Sequence, residues 1–309
     1  MRIAIMGSGG LGGYYGGMLA RAGEDVTFIA RGTHLEAIRA DGLTVKLPSG
    51  EEFTLDAKAT SDPGEIGPVD LVLFCVKTYD TDAAAEQIRP MVGPETMIAS
   101  IQNGVDIEGK IEAYFGPGYF VPGASYVNGL IEKPGVIFVR SASMTSFGEI
   151  NGSVTPRIEQ LVGSLQNAGV EVESRTDMQS FLWDKFVAIC GVGGAEILAR
   201  QPMGPVLATP ETKNLMVRLL QEGVAVAQGM GIDLSPELPA KLIEFVSNQL
   251  PPTHRTSMFE DLLEGKRLEV EALNGTLVRL GREHGVDTPL HFAVYAALKP
   301  YVNGGLASL

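Results

Sequence analysis

The chain has 309 residues, 45% of them hydrophobic and 20% charged, which is ordinary globular composition with enough apolar side chains to fill more than one core. Its formal net charge of −13 sets up a field that repels phosphate backbones and anionic lipid, so nucleic acid and membrane surfaces are excluded as partners. A phosphorylated cofactor would have to be caught locally, by helix N-termini and individual basic side chains.

Residues 2–6 read as a short apolar strand, 7–13 as a glycine loop, 14–22 as a helix and 25–30 as a second strand, the start of a βαβ unit. No charged and apolar leader precedes that first strand and no apolar run reaches about 18 residues, so a cytoplasmic protein is expected. The loop Gly7-Ser8-Gly9-Gly10-Leu11-Gly12 fits G-x-G-x-x-G. In that pattern Gly7 permits the tight turn, Gly9 lets the backbone approach a pyrophosphate, and Gly12 lets the helix pack on the strand. The pyrophosphate would rest on the helix N-terminus, where unpaired N–H groups favour an anion. By itself the motif also describes a plain glycine-rich turn; its place between strand and helix favours a dinucleotide.

The second strand ends in Phe28-Ile29-Ala30-Arg31, without the acid that binds ribose hydroxyls in an NAD site; Glu24 and Asp25 lie at the strand's other end. Arg31 is therefore expected to pair with the 2′-phosphate of NADP, the alternative being a solvated arginine after a strand. Residues 42–60 alternate weakly around Pro48-Ser49-Gly50, as an antiparallel excursion would, and 69–76 form a continuous buried-strand pattern. A helix over 81–91 and a strand over 97–101 follow. Two strands thus end in polar residues, at Lys77 and at Gln102-Asn103-Gly104. Lys77 offers positive charge, and Asn103 a paired donor and acceptor near the nicotinamide end. Each alone also reads as a surface lysine or a turn asparagine.

From 120 to 150 the chain is rich in Gly, Ser and Val with a turn at Pro134-Gly135, which predicts an antiparallel end to a mixed sheet; a helix over 156–168 and a strand over 170–174 close this half. Cys75 and Cys190 sit in apolar runs without metal-ligand spacing, so buried free thiols and no metal site are expected. Beyond 175 the texture changes to long helical periods, over 181–200, 210–230, 238–249, 257–284 and 290–301. The reading is an α/β Rossmann dinucleotide-binding domain over 1–175, followed by an all-α domain over 176–309. Ligands of open α/β sheets bind beyond the carboxyl ends of the strands, so the active site is expected in the cleft between the domains.

The glycine fingerprint, Arg31, the Cys-Val-Lys ending at Lys77, Gln-Asn-Gly at 102–104, Trp183-Asp184-Lys185, and Ser257-Met258 with Glu269 occur in the order in which this chain resembles the ketopantoate reductase family, over nearly its whole length. The resemblance implies NADPH-driven reduction of a 2-oxo acid to a 2-hydroxy acid, with Lys185 as general acid. It further implies Ser257 as a substrate contact and Glu269 on the nicotinamide side. Hydride delivery to a ketone develops an alkoxide, and a nearby ammonium both stabilises that charge and supplies the proton. Without the resemblance, Lys185 reads equally as a snorkelling lysine, Ser257 as a helix cap and Glu269 as a solvated helix residue.

The departures concern the substrate. Where the family carries asparagines one and two helical turns after the lysine, this chain has Ile189 and Gly193, and Met203 stands before Gly204 where another asparagine is expected. Losing these donors makes the pocket more apolar. The leading expectation is reduction of 2-dehydropantoate to pantoate, in pantothenate and coenzyme A biosynthesis. A more apolar 2-oxo acid or ketone, or a non-catalytic NADP-binding regulatory module, are the alternatives, and a homodimer is left open.

Overall fold

Short apolar strands rich in Ile, Val and Leu near the N-terminus can be buried on both faces, and they build a sheet covered on both sides. The computed structural model describes residues 1–305, and the chain forms two units: 1–102 with 107–178, and 103–106 with 179 onward.

The first unit begins with β1 (Arg2–Met6), α1 (Gly10–Arg21), β2 (Asp25–Ile29), α2 (Gly32–Asp41), β3 (Leu43–Lys46), β4 (Glu52–Leu55), β5 (Lys58–Thr60) and β6 (Val69–Phe74). It continues through α3 (Thr81–Gln87), β7 (Val92–Ser100), α4 (Ile107–Phe115), β8 (Phe120–Ser125), β9 (Asn128–Lys133), β10 (Val136–Ser141), β11 (Thr145–Phe147), α5 (Pro156–Asn167) and β12 (Val172–Ser174). Eight strands form one sheet in the order β12-β11-β8-β7-β6-β1-β2-β5. From β5 to β8 the neighbours run parallel; only β11 pairs antiparallel, with β8. The period of two sends Ile3 and Ile5 into one core layer with Leu71 and Leu73, and Ala4 and Met6 into the opposite layer with Val72 and Phe74. Because the chain moves from β1 first to β2 and later to β6 on its other side, the sheet's switch point lies at the end of β1, where the glycine loop begins.

The antiparallel excursion expected within 42–60 is the β3–β4 pair, and the antiparallel end of a mixed sheet expected within 120–150 is β11 on β8, but the excursion has a partner that the sequence pattern did not name. β3 and β4 are antiparallel, but they join the β9–β10 hairpin in a separate four-stranded sheet, β4-β3-β10-β9, while β5 and β8 return to the main sheet in parallel pairing. The second sheet covers the outer side of α1, so that α1 lies between two sheets. A Cβ on Gly12 would overlap the Gly7 carbonyl on one side, and a Cβ on Gly10 would overlap the Gly129 carbonyl on the other. Alternation in a sequence marks a strand with one buried face; it does not say which strand pairs with it.

The second unit is helical: α6 (Met178–Ala199), α7 (Met203–Ala208), α8 (Pro210–Gly229), α9 (Leu238–Gln249), α10 (Ser257–Leu263), α11 (Thr276–Glu283) and α12 (Pro289–Leu298). The expected single helix over 257–284 is broken. α10 stops in a Schellman turn in which the Lys266 N–H reaches the Asp261 carbonyl, the Gly265 N–H reaches the Leu262 carbonyl, and Gly265 takes φ +66°. A π-helical turn, Glu271–Gly275, then leads into α11. A buried polar chain crosses the core: Asn274 Nδ2 donates to the Cys190 carbonyl and to His291 Nδ1, and His291 Nε2–H donates to the Leu219 carbonyl. Burial pushes the His291 pKa down to about 4, so the ring is neutral, as this pattern requires. Cys190 is buried as expected, but Cys75 is only half-buried, because it stands one residue past the end of β6; burial raises both thiols and keeps them protonated.

Candidate active site

In the first unit the carboxyl ends of three neighbouring strands deliver expected cofactor residues, Gly7–Gly12 after β1, Arg31 after β2 and Lys77 after β6, and the next strand, β7, is followed by Gln102, which precedes the expected Asn103. Gly7 takes φ +97°, the left-handed region that turns the chain sharply from strand to helix. The loop is then locked onto β2, for the Ser8 N–H and the Ser8 hydroxyl both donate to the Ile29 carbonyl, at 3.3 and 2.8 Å. α1 starts from Gly9 with no side-chain cap and no acid in its first turn. Its first N–H groups and positive dipole end therefore meet no competing group of the helix itself, the condition an anion site requires.

His34 is a loop anchor that sequence reasoning missed. Its Nε2–H donates to the Ser8 carbonyl at 2.8 Å, while Nδ1 accepts the Gly135 N–H at 3.0 Å. Burial holds its pKa below the usual histidine range, which keeps Nδ1 free to accept. The exposed Arg31 side chain donates to Gln87 Oε1 at 2.7 Å. That partner is a neutral amide, so the guanidinium is oriented without being neutralised, and its charge is available to an anion. Gln102, expected only as part of a polar strand end, ties two strand ends together: its Nε2 donates to the Val76 carbonyl and to Thr81 Oγ1, and its Oε1 accepts from the Ser100 hydroxyl. The residues before Lys77 and before Asn103 are thereby linked. A surface cavity of about 280 Å³ lined by Arg2, Asp25, Lys58 and Glu65 lies at the amino ends of the strands, the edge opposite the glycine loop, and so belongs to no cofactor site.

The second unit gathers the other expected residues. Lys185 lies half-buried in the second turn of α6. Burial lowers its pKa to about 8, and the negative charge of Glu269 opposes that fall. Glu269 is buried just before the π-helical turn. The Asn103–Asp106 segment groups with this unit: Gly104, at φ +114°, faces the Ala272 carbonyl inside that same turn, which brings Asn103 to the segment carrying Glu269. Ser257 is the exposed first residue of α10, and Thr256, its neighbour, is held against α6.

The departures from the expected asparagines have packing reasons. A Cβ on Gly193 would stand 3.2 Å from Thr256 Oγ1, so a larger side chain there would displace the segment before Ser257. Met203 is fully buried in the helical core, and its N–H is taken by the His254 carbonyl. Ile189 remains half-buried one turn after Lys185. No helix among the described residues is long and apolar enough to cross a membrane.

Known proteins match the chain across both units. Residues 3–152 match the profile described as "Ketopantoate reductase PanE/ApbA", and residues 177–302 match its C-terminal counterpart. The 2-dehydropantoate 2-reductase of Halobacterium salinarum is 28% identical over 94% of this chain and 95% of its own. A crystal structure of 2-dehydropantoate 2-reductase from Geobacter metallireducens GS-15 is 32% identical, with a TM-score of 0.90 over 97% of this chain and 99% of its own. A D-mandelate dehydrogenase solved with NADH and anilino(oxo)acetate shares the fold at 20% identity and a TM-score of 0.88, covering 98% of each chain. With both of its halves matched, the chain is an oxidoreductase that belongs to the ketopantoate reductase family.

Proposed function

We propose that this protein reduces 2-dehydropantoate to pantoate with NADPH, in pantothenate and coenzyme A biosynthesis, and that Lys185 is the proton donor. The reading is supported by the family match over both units, within which Lys185 stands half-buried on α6 with the charge of buried Glu269 acting on it. An acid with a pKa of about 8 is still protonated at neutral pH yet gives up its proton readily, which suits general acid catalysis.

The glycine loop and the uncapped start of α1 fit a pyrophosphate, and Arg31, oriented by neutral Gln87, fits a 2′-phosphate. NADPH, when bound, supplies the hydride. Lys185 Nζ then stabilises the negative charge growing on the substrate oxygen and donates the proton that completes the alcohol. Glu269 helps keep the ammonium charged against its burial and would stand on the nicotinamide side when the cofactor is bound. Asn103 positions the oxo acid and the nicotinamide through its donor and acceptor, Lys77 adds positive charge on the cofactor side, and Ser257 contacts the substrate.

A second reading keeps the chemistry and changes the substrate to a more apolar 2-oxo acid. Half-buried Ile189, one turn from Lys185 where a polar side chain was expected, favours it. NADPH oxidation measured across 2-dehydropantoate and a series of 2-oxo acids with larger apolar side chains decides. The first reading requires the highest kcat/KM on 2-dehydropantoate, and turnover of none of them would leave only an NADP-binding module.

A further inference from the structure

The face of α6 that carries Lys185 and Ile189 runs on through Gly193 to Glu196, at spacings of four, four and three residues. Glu196 is fully buried, at 0% exposure. Its Oε2 accepts the Thr256 backbone N–H at 2.9 Å, while Oε1 is buried with no hydrogen-bond partner. The Thr256 hydroxyl is near enough to lower the Glu196 pKa, but it is out of hydrogen-bonding geometry and is itself buried without a partner. Burial dominates and pushes that pKa up to about 7, with Arg255 opposing and Glu260 reinforcing the rise.

A buried carboxyl with one oxygen unsatisfied opposes folding, and an apolar residue would serve packing better. What the carboxyl does is hold one amide. Thr256 has an extended backbone, φ −68° and ψ 154°, and caps α10, whose first residue is Ser257. Gly193 lets Thr256 close onto α6 from the same side. With the Thr256 amide fixed, the planar peptide units on either side leave Ser257 little freedom to drift.

We propose that Glu196 is a positioning residue for the oxo acid, acting through the Thr256 amide to hold Ser257 against the Lys185 face of α6. The proposal rests on Ser257 being a substrate contact. It involves no group that binds the cofactor, so its signature is a change in substrate KM alone.

The test compares kcat and KM for the best oxo acid of the panel, and NADPH affinity by fluorescence titration, in Glu196→Met, Glu196→Gln, Thr256→Pro, Ser257→Ala and the Glu196→Met/Ser257→Ala double variant. Met keeps the volume and removes the acceptor; Gln keeps the acceptor. Proline at 256 removes the N–H from the donor side at a φ it accepts, and so tests the same bond should the Glu196 variants fail to fold. Expected are a rise in KM of about tenfold in Glu196→Met and Thr256→Pro, near wild-type values in Glu196→Gln, unchanged NADPH affinity, and a double variant no worse than Ser257→Ala. Additive effects in the double variant, or an unchanged KM in Glu196→Met or Thr256→Pro, overturn the role of Glu196 while leaving Ser257 in place. An unchanged KM in Ser257→Ala overturns both, because Glu196 then has nothing to act through.

Discussion

The glycine loop and the Lys185 face of α6 are built by opposite means. At the loop the proposed ligand-binding surface is backbone, so the requirements fall on residues that are absent or small: no Cβ at Gly10 or Gly12, no cap on α1, no acid in its first turn. On α6 the backbone is fully satisfied helix, and chemistry depends on what distant side chains do to one another, as Glu269 does to Lys185 from 84 positions along the chain (269 − 185). A backbone site appears in a sequence as a contiguous motif; a side-chain site appears as scattered residues whose spacing carries no message.

The sharpest way to break that contrast is to remove a single side chain from the second region. Lys185→Ala is expected to lower single-turnover NADPH oxidation by about 10²–10⁴-fold while NADPH affinity stays close to wild type. The pH dependence carries a sign. The donor must be protonated, so reduction is sustained below the Lys185 pKa of about 8 and lost as pH rises through it. A profile flat from pH 7 to 10, or near wild-type turnover in the variant, would return Lys185 to a structural lysine.

Adding a single carbon to the first region should be nearly as damaging for a different reason. Gly10→Ala places a methyl group into the Gly129 carbonyl, and the second sheet must retreat from α1. Overpacking of this kind costs about 1–3 kcal/mol, read as a lowered denaturation midpoint, with NADPH affinity falling alongside it. If stability falls and affinity does not, the second sheet supports the fold but not the loop.

Arg31→Ala separates charge from backbone within the first region. The Michaelis constant for NADPH is expected to rise about ten- to a hundredfold, with that for NADH nearly unchanged, because only the 2′-phosphate loses a partner. Equal changes for both cofactors would show that Arg31 does not read the phosphate. Gln87→Ala should reproduce a fraction of the NADPH effect, since it frees the guanidinium without removing it.

The smallest effect belongs to the far end of α6. Arg200 is the one non-glycine residue with positive φ among the described residues, at +52°, where the helix closes with the Gln201 N–H on the Glu196 carbonyl. Arg200→Gly should raise stability by about 0.5–1 kcal/mol in chemical denaturation without touching kcat. A loss of stability would mean that contacts of the arginine side chain outweigh its backbone strain.

These contrasts also explain what could be read in advance. β1, the glycine turn and α1 announce themselves because their signals lie within about twenty consecutive residues, and the helices 210–229 and 238–249 do so through an uninterrupted apolar period. The destination of residues 43–55 and 128–141 was hidden, since β3 pairs with β10 some ninety positions away and alternation alone names no partner. The break after α10 rests on Gly265, an unremarked glycine inside what looks like one helical run. The roles of His34, Gln102 and Glu196 were invisible for a common reason: each is a polar residue whose meaning lies in a backbone group 26 to 60 positions away, Ser8, Val76 and Thr256. Lys185 and Glu269 stood out only through the resemblance to a family.

The position of α1 between two sheets has a consequence for the order in which the protein takes shape during synthesis. Its inner side can settle on β1 and β2 within the first thirty residues, and Val45 and Phe53 of β3 and β4 can reach Gly17, but the outer side at Gly10 and Gly13 is closed by β9 and β10, which occupy residues 128–141. A chain emerging from the ribosome therefore carries the start of α1 uncovered on that side for the whole interval, and the parallel pairing of Thr44 with Val136 closes a loop of about ninety residues before the outer sheet is complete. The glycine loop, first to be made, is among the last parts of its unit to be finished.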